Sequence, residues 1–146
     1  MGEQGSAAMV LSAVVALAAL VGVLLGDVGL YLRGRTQALS AADAAALAAA
    51  PVTFHGFGTS ASPEDEAARY AAANGAVLVA CDCALDRSWR PRLVTVAVTV
   101  AVELMLFGRR EVPAASRAEF DPVSLARPPP PTTTMRDGAG EGSRTG

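Results

Sequence analysis

The stretch "GDVGLYLRGRTQALSAADAAALAAAP", residues 26–51, joins an apolar run to an alanine-rich one and places one acid and two arginines between them. Ahead of it, from Gly5 to Gly26, 22 residues carry no charge. As a helix this run spans about 33 Å, enough to cross a hydrocarbon core of about 30 Å. The sequence therefore predicts a five-residue stub (1–5) and a transmembrane helix over 6–32. A buried helix of a soluble fold would need more chain to wrap it than follows. A cleaved secretory signal would open on basic residues and carry a core of about 7–15 residues, whereas "MGEQ" offers Glu3 and neither Lys nor Arg. An uncleaved anchor fits better. Asp27 then marks the membrane exit, since an acid costs about 2.5–3.5 kcal/mol at mid-membrane and far less at the interface. Tyr31 falls where an interfacial aromatic is expected, and Arg33 and Arg35 can reach the headgroups. A second reading pairs Asp27 with a basic group on a partner helix.

Beyond Arg35, "TQALSAADAAALAAA" has alanine, the strongest helix former, at nine of fifteen positions and contains neither Gly nor Pro. The helix should continue as an alanine-rich extension over 33–50 and end at Pro51. Val28, Leu32, Leu39, Ala46 and Leu47 fall near one stripe, with Thr36, Ser40 and Asp43 off it. The result is one rod from about residue 6 to 50, whose outer half has a shallow face suited to close packing against a sheet or another rod. Two rows of small residues run along the apolar half, Ala8, Ser12, Ala16 and Ala18, Gly22, Gly26. The second row contains a GxxxG, a spacing that lets helix backbones approach closely in lipid.

These elements together resemble the amino-terminal region of TadE/TadG-like proteins of tight-adherence (Flp) pilus assembly, most of all the small actinobacterial members. The resemblance rests on the apolar segment opening after Gly5, on Asp27 with Gly29, and on Arg35 and Gln37 through Ala41, Ala42, Asp43, Ala44, Ala45, Ala46 and Leu47. It covers about 45 residues, and "EAARYAAANGA" (66–76) extends it. There are departures. No arginine precedes Gly5, and Val10 stands where members processed after a Gly carry Glu. The resemblance implies a non-enzymatic minor component, pseudopilin-like or minor pilin-like, of a Tad/Flp pilus or related secretion apparatus. Its implied partners are membrane lipid, other membrane proteins of that apparatus, and copies of itself. The alternative is a stand-alone anchored exported protein that binds some envelope ligand. Counting local arginines alone would put Arg33 and Arg35 in the cytoplasm. The resemblance implies the opposite, a single-pass protein with its C-terminal domain outside, and that orientation is the one expected.

Residues 51–122 read as a small α+β domain. In "SPEDEAARYAAANG", Ser62 can cap a short helix, Pro63 suits its first position, Glu64, Asp65 and Glu66 complement its positive end, and Gly75 can close it in left-handed geometry. A strand is predicted over 76–82. In "LVTVAVTVAV" the valines at 94, 96, 98, 100 and 102 share one face, so one side of that strand is buried. "ELMLFGRR" is either strand or a turn around Gly108, and 112–120 forms a third strand ended by Asp121-Pro122. The expected fold is thus a long helix packed with a short helix and an antiparallel sheet of two to three strands, pilin-like in outline. Residues 123–146, with four consecutive prolines, read as a solvated tail.

The formal net charge of −2 and the lack of a basic patch interleaved with aromatics exclude nucleic acid as a partner. Cys81 and Cys83 are the only cysteines. On a strand they point to one side with alpha carbons near the upper limit for bridging. They pack as small apolar residues or form a disulfide, within or between chains, if the domain faces an oxidising exterior. Two sulfurs and the isolated His55 do not make a metal site. Trp89 is a candidate surface anchor for a partner, or part of a hairpin loop packed on the membrane face. With no phosphate-binding glycine loop and no catalytic triad, neither a cofactor nor an enzymatic activity is expected.

Overall fold

The computed structural model describes residues 3–54 and 62–126, with side chains from residue 8 onward. Apolar and alanine-rich composition with no proline before Pro51 makes one helix, α1 (Glu3–Val52), of 50 residues and about 75 Å. Pro51 lies inside its last turn rather than beyond its end. The helix closes just after it, where the Thr53 hydroxyl donates to the Ala50 carbonyl at 2.6 Å. From Ala8 to Gly26 the apolar side chains face outward on every side, with Leu11 66% and Leu17 62% exposed. Ser12 donates its hydroxyl to the Met9 carbonyl at 2.9 Å, so even the polar side chain here finds its partner within the helix. Among the described residues α1 is the one helix long and apolar enough to cross a membrane.

A second helix, α2 (Pro63–Ala73), begins at the expected cap. The Asp65 N–H donates to Ser62 Oγ at 3.1 Å and the Ser62 N–H donates to Asp65 Oδ2 at 3.3 Å, a reciprocal capping box. Gly75, at φ +73°, turns the chain out of α2 into the sheet. Because Ser62 satisfies one of the orphan amides, Ser62→Ala should lower domain stability by about 1 kcal/mol in chemical denaturation.

Three strands follow: β1 (Val77–Asp82), β2 (Arg92–Leu104) and β3 (Gly108–Phe120). They form one antiparallel sheet in the order β1-β2-β3, with an irregularity in β1 between Leu78 and Ala80. "ELMLFGRR" resolves into both of its readings: β2 runs on to Leu104, Met105–Phe107 make the turn, and Gly108 starts β3 at φ +62°. A single helical turn, α3 (Val123–Ala126), stands at the start of the segment read as tail. The rest of that tail and His55 lie outside the described residues.

The valine alternation buries Val94, Val96, Val98 and Val100, each at most 4% exposed. Their face lies on α1, and α1 answers with alanines: Ala38, Ala41, Ala42, Ala45, Ala46, Ala49 and Ala50 are all buried. The alanine extension is thus the core of the α+β unit. The stripe read from larger side chains points the other way, because Leu39 is 42% and Leu47 67% exposed. The reason is distance. Sheet and α2 approach α1 so closely that only methyl groups and hydrogens fit between, and the leucines are left on the open side. Each strand of the hairpin has 13 residues, about 43 Å at about 3.3 Å per residue. The helix from Asp27 to Thr53 measures about 39 Å. The hairpin therefore lies along the whole outer half of α1.

Candidate functional site

The point where β2 turns into β3 meets α1 at the end of its uncharged run. There the N–H groups of Met105 and Leu106 donate to the two carboxylate oxygens of Asp27, at 2.6 and 2.9 Å. Asp27 is only 3% exposed. The residue read as a boundary marker is also the clamp that holds the hairpin tip to the helix. Beside it an apolar groove of about 260 Å³ is lined by Leu24, Asp27, Val28, Tyr31, Leu104 and Phe107. Tyr31 thus joins Asp27 at this site, whereas Arg33 and Arg35 are exposed on the helix surface just beyond it. Replacing Asp27 with Ala leaves two turn amides without their side-chain acceptor. A loss of about 1–2 kcal/mol is expected, with hydrogen exchange at residues 105–107 rising before the rest of β2 and β3 responds.

Two turns beyond Asp27 on α1 sits a contact that no motif announced. A Cβ on Gly34 would collide with Cγ2 of Val102, so hydrogen is the only side chain that fits. Further on, Gln37 donates from Nε2 to the Asn74 carbonyl at 3.1 Å, tying α1 to the end of α2. Asp43 accepts a hydrogen bond from the Ser116 hydroxyl of β3. Asp27, Gly34 and Ala41 recur every seven residues along the seam, as do Ala38 and Ala45.

At the opposite end of the domain Arg92 closes the structure. Its guanidinium donates to the carbonyls of Thr53, Asp86, Ser88 and Arg90, the Thr53 contact at 3.2 Å, and lies 5.6 Å from the centre of the Phe54 ring. Trp89 meets Phe54 edge-on at 5.0 Å between ring centres. Phe54 follows the end of α1, so Trp89 stands about 40 Å along the helix axis from Asp27. In the same loop the Asp86 carboxyl is held below its ordinary value, near 3.8, by bonds from the Ser88 N–H and then the Ser88 hydroxyl, and further by the charges of Arg92 and Arg90. A lowered value means that the folded state gains from the ionised form above about pH 4 and loses that gain as pH falls through the folded pKa. Trp89 emission should accordingly report loosening of this loop in acid, and Asp86→Asn should remove that step.

Cys81 and Cys83 are placed sulfur to sulfur with alpha carbons 5.4 Å apart, inside the usual bridging range. No group of three or more metal-binding side chains occurs among the described residues. The row Ala18, Gly22, Gly26 lies along the exposed apolar half, and a Cβ on Gly22 or Gly26 would meet nothing within 4 Å. The row read as helix-packing is open toward its surroundings.

What these parts define is an α+β unit in which one long helix is both an exposed apolar stem and the core of the head. Residues 5–51 match the family model described as "Putative Flp pilus-assembly TadE/G-like". This TadE/G-like segment ends at Pro51, so it takes in the whole stem together with the alanine face, Asp27, Gly34 and Gln37. No curated protein and no solved structure matches the chain. Over those residues, about a third of the chain, the protein is similar to a Tad/Flp pilus-assembly family.

Proposed function

We propose that this protein is a single-pass, non-enzymatic minor component, minor pilin-like or pseudopilin-like, of a Tad/Flp pilus or related secretion apparatus. The observation that carries the reading is the extent of the TadE/G-like match, residues 5–51, which includes both the apolar stem and the alanine face that forms the core of the domain. The stem crosses the membrane. Its open small-residue row, Ala18, Gly22 and Gly26, packs against helices of the apparatus or of a second copy. The sheet domain stands outside the cell. Apposition of the Cys81 and Cys83 sulfurs supports that side, since disulfides persist in oxidising compartments.

Partner capture from detergent-solubilised native membranes tests the assembly role. Recovery of other membrane proteins of the apparatus is expected, and their absence from a capture that retains the intact protein would favour the stand-alone envelope-binding alternative. Orientation has its own readout. After treatment of intact cells with a membrane-impermeant reductant, an impermeant thiol reagent should label Cys81 and Cys83. Labelling only after permeabilisation would place the domain inside.

A further inference from the structure

We propose that the Met105–Phe107 hairpin tip is a second membrane contact, an apolar wedge set into the outer interface of the bilayer at a depth fixed by Asp27. The inference rests on the membrane-spanning reading of α1 and goes beyond it, because that reading asks nothing of the sheet. Asp27 is the first charge after the uncharged run, and its two hydrogen bonds hold the tip level with it. A helix that exits the bilayer at Asp27 carries the tip to the same level. The tip is built for that position. Among the described residues Met105, Leu106 and Phe107 stay 74%, 48% and 55% exposed, three consecutive large apolar side chains. They are continuous with the exposed leucines of the stem through the groove that Leu24 and Phe107 share.

Backbone amides entering a water-poor region need partners, and the Asp27 carboxylate supplies acceptors to two amides of the turn. The charges above the tip agree with this placement. Arg109 and Arg110 open β3 directly after the turn, Arg33 and Arg35 stand on α1, and all four are exposed. Their long stems can lie along apolar surface while the guanidinium groups reach anionic phosphates. The occupant of the tip is therefore lipid rather than a soluble protein. Domain and stem are then pinned at two points, which fixes the tilt and rotation of the sheet on the membrane.

Depth-dependent fluorescence quenching tests the wedge on the full-length chain, reconstituted in vesicles of equimolar phosphatidylcholine and phosphatidylglycerol. Trp89 is the sole tryptophan, so Phe107→Trp and Leu17→Trp are each made with Trp89→Phe, and the parent protein reports Trp89 itself. Leu106→Trp serves where Phe107→Trp does not fold. The tip probe should be quenched about twofold more by lipids brominated high on the acyl chain than by lipids brominated near its end, as expected for side chains about 5–10 Å into the interface. The Leu17→Trp probe should show the reverse order, and Trp89 should be quenched by neither. Quenching of the stem probe with none at the tip overturns the wedge and leaves the anchor standing. Blue-shifted but unquenched emission from the tip assigns it to a protein neighbour and likewise overturns the wedge. Quenching of Trp89 as strong as that of the tip means the domain lies flat on the bilayer, and also overturns it. Absence of quenching at both tip and stem removes the membrane-spanning reading itself.

Discussion

Gly34→Leu should destabilise the domain by about 3 kcal/mol, at the upper end of what overpacking a tight interface costs. The collision begins with the first carbon, since even a Cβ at this position has no room beside Val102. Relief would require the hairpin to lift away from α1. The valine face packs on the alanine seam below that point, so the strain would reach the core. Gly29→Ala supplies the control. A Cβ there meets nothing within 4 Å, and the exchange should leave stability unchanged or raise it by up to about 1 kcal/mol through helix propensity. Denaturation followed by Trp89 emission in detergent micelles reads both variants. Equal effects of the two would show that helix and hairpin do not approach as closely as described.

Arg92→Ala is expected to cost about 2–4 kcal/mol, because several carbonyls lose a charged donor at once. Those carbonyls belong to the end of α1 and to the loop between β1 and β2, so the substitution should unpin both. Freed from its contact with Phe54, Trp89 should then emit further to the red. Arg92→Lys should recover only part of the loss, since an ammonium cannot reproduce the planar fork that spans separate carbonyls. A variant with normal stability and unchanged Trp89 emission would remove Arg92 from the closure of the domain.

Much of the fold was legible because local chemistry determined it. The valine alternation from 94 to 102 predicted the buried strand face, and Ser62, Pro63, Asp65 and Gly75 predicted both ends of α2. The face of α1 was not legible. Alanines surround the helix from 38 to 50, and the leucines, the usual guide to a core, mark the open side at Leu39 and Leu47. A close-packed seam selects for what is missing from a side chain, and in an alanine-rich segment that absence stands out from nothing. Gly34 could have been found, apart from Gly29, by its seven-residue spacing from both Asp27 and Ala41. Asp27 was visible as the first charge after the apolar run, but its hydrogen bonds depend on amides 78 and 79 residues further on. Arg92 is one of twelve arginines, and neighbouring sequence gives it no distinction. The contact of Trp89 with Phe54 joins residues 35 positions apart, which no local pattern announces.

Hydrogen–deuterium exchange on the full-length protein in lipid nanodiscs tests most directly whether one helix is both stem and core. The account predicts slow exchange without a break from residue 8 to residue 50. A fast-exchanging segment between Asp27 and Ala38, or exchange across residues 8–26 as rapid as in an unfolded chain, would contradict it.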